Sequence, residues 1–399
     1  MPLEKSKKIL LIVPEYPPYH LGGGGVVYQN LAETLKRKGH RVVVLAGYSV
    51  PRNILAKPYS EAIGGLTVYR LPLVPFPRCR PYFESVFPPN LKSVFFLISF
   101  LKNTDFNIYH LHGYGHLFID SAAIMLKILK KKYFFTSHGF PTTPKKQGGF
   151  LNFFYVLYNR FLGRKTLFWS ERISCVSYRV AENALICKLK AKTSEIPNGV
   201  DEFFLKSRKR VGFKNSGVFK ILSIGRYYQV KGYDCFISCL GLLKSRLGFE
   251  NFVYKVVGDD FGEKERLEGM ISKLKLDHEV CLLDRLNREE VFKLYHESNL
   301  YVQPSLFESF GISVLEAMAV GCPPLVSLNC GVADFLKDGY NCFLFSTDQK
   351  PLETAKLLKK IIDDKEKRQK ISENAKLSTL EFSWDKVTDK YCDFWDGGR

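Results

Sequence analysis

The strongest constraint on this chain is a rhythm of short, unbroken apolar runs separated by amphipathic stretches, which starts near residue 8 and starts again after residue 200. In the first half the apolar runs are "KILLIVP" (8–14), "RVVVLAG" (41–47), "NIYHLHG" (107–113), "YFFTSHG" (133–139) and "RISCVS" (172–177). In the second they are "FKILSIG" (219–225), "FVYKVVG" (252–258), "EVCLLD" (279–284), "NLYVQPS" (299–305) and "PPLVS" (323–327). A strand with no polar alternation is covered on both faces. Such strands alternating with helices like "VVYQNLAETLKRKG" (26–39) and "REEVFKLYHES" predict an α/β chain with two doubly wound parallel sheets. The turn-rich "IPNGVDEFF" (196–204) separates the two halves. We therefore expect a first domain over 1–203 and a second over 204–382, with a last helix over 383–399 returning to the first.

Charge is spread unevenly. Residues 1–200 hold 28 Lys and Arg against 10 Asp and Glu, or +18 of the whole chain's +19. That asymmetry suggests an anionic partner for the first half, such as a membrane surface or an acidic acceptor. No nucleic-acid module is recognisable, so no nucleic acid is expected. The ten cysteines form no CxxC pair or metal-ligand spacing, which fits reduced thiols in a cytoplasmic protein. "VFFLISFL" (94–101) is far short of the ~20 apolar residues of a membrane span. It belongs to a stretch rich in Pro, Phe and Arg (72–104) that departs from the strand–helix rhythm. Its second part predicts a short helix with Lys92 and Lys102 at its ends, which suits either a membrane-facing segment or a core-packed excursion.

Three stretches could carry chemistry. "HLGGGGVV" (20–27) joins the first strand to its helix, where glycines let backbone N–H groups approach a phosphate. "GRYYQVKG" (225–232) sets Arg226 and Lys231 at the carboxyl end of a parallel strand, where open α/β sheets bind ligands. Two cations there could neutralise a diphosphate leaving group, although an unplaced pair of this kind is more often solvated surface charge. "LFESFGISVLEAMAVGCPP" (306–324) carries Glu308 and Glu316 in an otherwise apolar run. On one helix they would lie roughly 12 Å apart along the axis. That exceeds the about 5–9.5 Å of a hydrolase carboxylate pair and suits two ends of one long ligand.

Taken with "HLHG", "TSHG", "IPNGVD", "VVGDD" and "DGYNCFLF", these motifs cover nearly the whole chain. They resemble glycosyltransferase family 4, the retaining nucleotide-sugar transferases of the GT-B fold, in which two Rossmann-like domains face each other across a cleft. The resemblance implies that Arg226 and Lys231 bind the donor diphosphate and that Glu308 touches the donor sugar. Phe310, Gly311 and Ile312 would offer backbone N–H groups beside it, and Glu316 would hold the ribose. Gly258 would lie beside the nucleotide, Gly23 would approach the phosphate from the first domain, and His138 would lie near donor and acceptor. The donor would be a UDP- or GDP-sugar and the acceptor a glycan or lipid-linked molecule in envelope or glycoconjugate synthesis. Neither metal nor cofactor is expected, and "GDD" (258–260) reads as a turn or helix cap. Peripheral contact with an anionic membrane on its cytoplasmic face is expected of the basic first domain. The sequence departs from the family pattern at Asp334, at Asn341-Cys342 and at Asp284, which clouds donor identity more than reaction type. Nucleotide-sugar epimerisation or hydrolysis, or a non-catalytic nucleotide-sugar sensor, are the alternatives.

Overall fold

The computed structural model describes residues 6–19, 23–49, 56–74, 88–140, 156–183, 186, 188–206 and 217–397. The chain divides into two units, one of Met1–Pro197 with Trp384–Arg399 and one of Asn198–Ser383. The sequence boundary at 203/204 therefore falls a few residues inside the second unit, for a local reason. Val200 N–H donates to the Phe382 carbonyl at 2.8 Å, Asp201 pairs with Arg288, and Phe204 packs edge-on to Tyr295.

Among the described residues, the first unit is built on an eight-stranded sheet of order β3-β4-β2-β1-β5-β6-β7-β8. Its strands are β1 (Lys8–Val13), β2 (Arg41–Ser49), β3 (Tyr59–Ile63), β4 (Leu66–Leu73), β5 (Ile108–His112), β6 (Phe134–Ser137), β7 (Ile173–Cys175) and β8 (Thr193–Glu195). All pairings are parallel except β3 with β4. Ile9 to Val13 of β1 are fully buried, as a central strand covered on both faces must be.

Its longer helices before the C-terminal one are α1 (Gly23–Arg37), α2 (Leu91–Asn103), α3 (Leu117–Ile128) and α4 (Arg164–Trp169) among the described residues. The path along the sheet reverses after β4, and right-handed crossovers then put α1 on one face and α2, α3 and α4 on the other. Helix α2 is the short helix expected of the second part of 72–104, and Asn90 caps it by accepting from Ser93 N–H. The Pro- and Arg-rich residues 75–87 lie outside the described residues.

The C-terminal helix Trp384–Trp395 packs against α1. Trp384 and Tyr391 are buried in it, and Lys38–Asp389 (2.6 Å) and Arg37–Asp385 (3.0 Å) join the two helices.

The second unit has a six-stranded, wholly parallel sheet of order β11-β10-β9-β12-β13-β14. These strands are β9 (Phe219–Ile224), β10 (Phe252–Val257), β11 (Val280–Leu283), β12 (Leu300–Gln303), β13 (Pro324–Ser327) and β14 (Phe343–Phe345). The helices are α5 (Tyr233–Leu247), α6 (Lys264–Lys273), α7 (Arg288–Glu297), α8 (Ile312–Val320), α9 (Pro351–Asp363) and α10 (Lys365–Ser378). One buried apolar cluster joins β9, β10 and β12 to α5 and α9.

Tyr391 sits at 5.4 Å from the His110 ring and 6.1 Å from Trp395 under the first sheet. Tyr391→Ala should cost about 3–5 kcal/mol. Amide hydrogen exchange should show lost protection in β1, β5 and β6 while β9, β10 and β12 keep theirs.

Candidate active site

In the second sheet the path reverses between β9 and its neighbours: β10 is added on one side and β12 on the other. Loops leaving such a switch point diverge and open a crevice at the carboxyl ends of the strands. Arg226 and Lys231 follow β9, Gly258 follows β10, and Glu308 to Ile312 follow β12. These residues lie on loops or a helix start at that edge, and Glu316, also chosen from the sequence, lies one turn further on inside the helix.

Two loops are brought into contact there. Lys231 closes the 3-10 turn Gln229–Lys231, whose Val230 carbonyl accepts from the Leu306 (2.8 Å) and Phe307 (3.3 Å) N–H groups. The next residue, Gly232, lies where a Cβ would collide with the Pro304 carbonyl, so only glycine lets the loops close this far. The result is an ion pair between Lys231 and Glu308, whose side chains are 18% and 19% exposed. Arg226 instead lies over the Phe261 ring, 5.0 Å from its centroid.

Glu308 and Glu316 do not share a helix, contrary to the estimate of 12 Å along one axis. Gly311 caps α8, which starts only at Ile312. Glu308 instead bridges to Cys330 in the loop after β13: its N–H donates to the Asn329 carbonyl at 3.1 Å and its carbonyl accepts from Gly331 N–H at 2.9 Å. The Phe310 carbonyl accepts from Val332 N–H at 2.7 Å, and its ring is buried. An apolar ring anchored beside a glycine ends the extended segment and opens the helix. The first N–H groups of α8 have no carbonyl one turn earlier to bond.

Glu316 lies one turn into α8. It accepts from the Tyr295 hydroxyl at 2.9 Å, with the Asp201–Arg288 pair close by. Burial raises its pKa from 4.5 to about 7; the Tyr295 hydrogen bond opposes the rise, Asp201 adds to it and Arg288 opposes it. A carboxyl held near neutrality while hydrogen-bonded on one side suits contact with hydroxyls.

Gly258 needs no ligand to explain it. A Cβ there would meet the Gly225 carbonyl, where the strands after β9 and β10 run together. The Asp pair after β10 is likewise structural: Asp260 accepts from the N–H groups of Gly262, Glu263 and Lys264 (2.8–3.1 Å), and Asp259 faces Arg285 at 3.7 Å. Asp284, a departure from the family pattern, pairs with Lys264 at 2.8 Å on the surface.

In the first unit Gly23 opens α1, so the glycines described from here on form the first turn of the helix rather than a loop before it. Tyr28, further along α1, packs edge-on to both His112 and His138 at 5.3 Å. His138 follows β6 directly, and its Nε2 is 3.1 Å from His112 Nδ1. Burial lowers the pKa of His138 and of His110 to about 3, and that of His112 well below 6.5, so all three rings are neutral at pH 7. Among the described residues His112 Nε2 is buried without a partner. An orphaned lone pair there is cheaper than an orphaned N–H. That favours His112 Nδ1–H donating to His138 and leaves His138 Nδ1 as the protonated, donating nitrogen.

Tyr295, Arg288, Asp201 and His112 form this chemistry and were not singled out from the sequence. They lie 21 to 115 residues from the groups they serve; "HLHG", "IPNGVD" and "REEVFKLYHES" contain them, but no local signal in those stretches tells which group each one meets.

Comparison with known proteins agrees with this architecture. The family profile described as glycosyl transferases group 1 matches residues 206–378, and that of glycosyltransferase family 4 matches residues 21–202. The chain is 27% identical to an uncharacterised glycosyltransferase of Methanocaldococcus jannaschii over 95% of both chains. It is 26% identical to the gpi3 subunit of the Schizosaccharomyces pombe phosphatidylinositol N-acetylglucosaminyltransferase, over 91% of this chain and 76% of that one. Among solved structures, sucrose-phosphate synthase from Thermosynechococcus elongatus superposes with a TM-score of 0.76 at 17% identity, covering 98% of each chain. Anabaena HepE in complex with UDP and glucose superposes at 0.71 and 17% identity, over 98% of this chain and all of that one.

The shift on Glu316 gives a signed expectation. With its folded pKa above the unfolded value, ionisation destabilises the folded unit; the effect is absent below pH 4.5 and complete above about pH 7. Glu316→Gln should therefore raise the unfolding free energy at pH 8 by up to ~3 kcal/mol, with a higher unfolding midpoint, and leave both unchanged as the pH nears 4.5. Scanning calorimetry across that range checks it.

Proposed function

This chain belongs to glycosyltransferase family 4 (group 1) and is a transferase with the GT-B fold; from that premise, we propose that it moves a hexosyl group from a UDP- or GDP-sugar to a glycan or lipid-linked acceptor with retention at the anomeric carbon. The sugar C1–O bond to the β-phosphate breaks, and a C1–O bond to the acceptor hydroxyl forms on the same face. The hydroxyl proton passes to the departing phosphate oxygen, giving a nucleoside diphosphate and the glycosylated acceptor. No side chain serves as nucleophile.

Lys231 and Arg226 stabilise the charge that develops on the leaving diphosphate. Glu308, paired with Lys231, turns to a sugar hydroxyl when the diphosphate takes its place on that cation. The first N–H groups of α8 at Gly311 and Ile312, held by Phe310, add a positive dipole end to the same place. Glu316 accepts from the ribose hydroxyls, and Gly258 keeps the floor of the site flush. In the first unit the N-terminus of α1 at Gly23 faces anionic groups, and His138 Nδ1–H donates to a sugar or acceptor oxygen. No metal or organic cofactor enters this reading.

The observation that carries it is the Lys231–Glu308 pair at the sheet's switch point, a cation and a carboxylate 77 residues apart held together by two loops. HepE, a fold neighbour, has been solved with UDP and glucose, which supports a uridine donor. Two relatives named phosphatidylinositol N-acetylglucosaminyltransferase support a phospholipid-type acceptor.

A thermal-shift panel of UDP, GDP, ADP and their sugars tests the donor, since ligand bound to the folded state raises its apparent stability. One base should stand out. Lys231→Ala should weaken that nucleoside diphosphate about 10- to 100-fold. Glu308→Gln should keep or tighten diphosphate binding while turnover falls on the order of a hundredfold. Unchanged diphosphate binding by Lys231→Ala, or release of free sugar without acceptor, would sink the assignment.

A further inference from the structure

The helical layer formed by α2, α3 and α4 carries an outer surface that none of the other described residues covers. On α2, Leu91, Phe95 and Ile98 are 71%, 64% and 36% exposed, at the spacing of one helix face, while Ser93, Leu97 and Leu101 turn inward. Along residues 156–169, Leu157, Phe161 and Phe168 are 41%, 56% and 66% exposed. Helix α3 lies between, in contact with both α2 and α4, so the two stripes belong to one side of the sheet.

The layer is firmly built. Tyr158 and Thr166 donate to the buried Asp120 of α3 at 2.9 and 2.7 Å, and Tyr114 donates to Asn159 at 2.6 Å. Its exposed aromatic and aliphatic side chains are therefore presented by anchored helices, not by loose ends.

The charges on this surface have one sign. Arg160, Arg164 and Lys165 are exposed among the apolar residues of 156–169, and Lys92 and Lys102 flank the α2 stripe. Across residues 88–140 and 156–169 the only carboxylates are Asp105 and Asp120. Asp120 is internal, and Asp105 sits beside Lys131 past the end of α2.

We propose that this α2–α3–α4 face is a docking surface for an anionic lipid bilayer, with the apolar stripes entering the boundary between headgroups and acyl chains and the cations meeting lipid phosphates. Two features together select this occupant. Large aliphatic groups such as Leu91, Ile98 and Leu157, set among Phe95, Phe161 and Phe168, gain from a hydrocarbon boundary. A second copy docking through the same face would set Arg160, Arg164 and Lys165 against like charges. Among the described residues no helix is long and apolar enough to cross a membrane, so attachment here is by a surface. The face holds the membrane beside the unit that would receive a lipid-linked acceptor. It does not depend on the donor assignment, and lipid binding can be read with neither donor nor acceptor present.

The test is flotation of the full chain with phosphatidylcholine vesicles, with and without phosphatidylglycerol, at low and high salt. Anionic vesicles should be bound and neutral ones bound at least tenfold less, with high salt closing the gap. Arg160→Gln/Arg164→Gln/Lys165→Gln should weaken binding on the order of a hundredfold, since each cation near the surface contributes about fivefold. Phe95→Gln/Phe161→Gln should abolish it. Both variants should keep the wild-type unfolding midpoint, because the side chains changed are exposed. No binding, equal binding to both vesicle types at all salts, wild-type binding by the folded variants, or a dimer that the Phe variant dissociates without any vesicle binding would each overturn the proposal.

Discussion

The geometry of the loops in the second unit depends on how closely backbone can approach backbone at the carboxyl edge of its sheet. The loops after β9, β10 and β12 leave adjacent strands and would ordinarily splay. Gly232 against the Pro304 carbonyl and Gly258 against the Gly225 carbonyl remove the Cβ atoms that would hold them apart. Once the loops touch, backbone bonds from Leu306 and Phe307 to Val230, and from Tyr227 to Asp259 (2.9 Å), fasten them. Lys231 and Glu308 meet because of that closure. A charge pair of long side chains is weak when solvated and strengthens when its surroundings are fixed and partly dry.

The two units treat ionisable groups in opposite ways. In the second, Glu316 is raised toward neutrality by burial but stays close to charged neighbours, so its ionisation remains adjustable near physiological pH. In the first, His110, His112 and His138 are stacked beneath Tyr28, Tyr391 and Trp395 and held neutral. A neutral His138, with Nε2 taken by His112, can donate a hydrogen bond from Nδ1–H but is not an imidazolium acid at pH 7. The C-terminal helix closes over that histidine cluster, which ties the last residues of the chain to the chemistry of its first sheet.

Much of the fold was legible because parallel strands buried on both faces leave an unmistakable apolar signature. Most strands of both sheets coincide with the runs quoted from the sequence, with β2 running on to Ser49 and the short β8 outside them, and α2 lies where large apolar residues at helical spacing break the rhythm. The hairpin β3–β4 was missed although its signal is plain. "AIGGLTV" pairs alternating residues around Gly64-Gly65, which both take positive φ (58° and 70°). The 12 Å spacing of Glu308 and Glu316 along one helix fails because the helix opens only after Gly311, between the two, and Glu308 is left in extended chain. The backbone pairing of Glu308 with the loop at Cys330 decides that, and nothing near Glu308 in sequence encodes it.

The sequence by itself determined the layered α/β plan, the chemical types assembled at the strand ends and the basic character of the first half. Each of these is local: periodicity, glycine placement and charge are written into neighbouring residues. Only the tertiary structure decided which of those groups meet. It placed Lys231 on Glu308, Tyr295 on Glu316 and His112 on His138, and it aligned the exposed apolar residues of two distant helices on one cationic face. Contacts between residues far apart in the chain depend on strand order and crossover direction, which no single segment specifies.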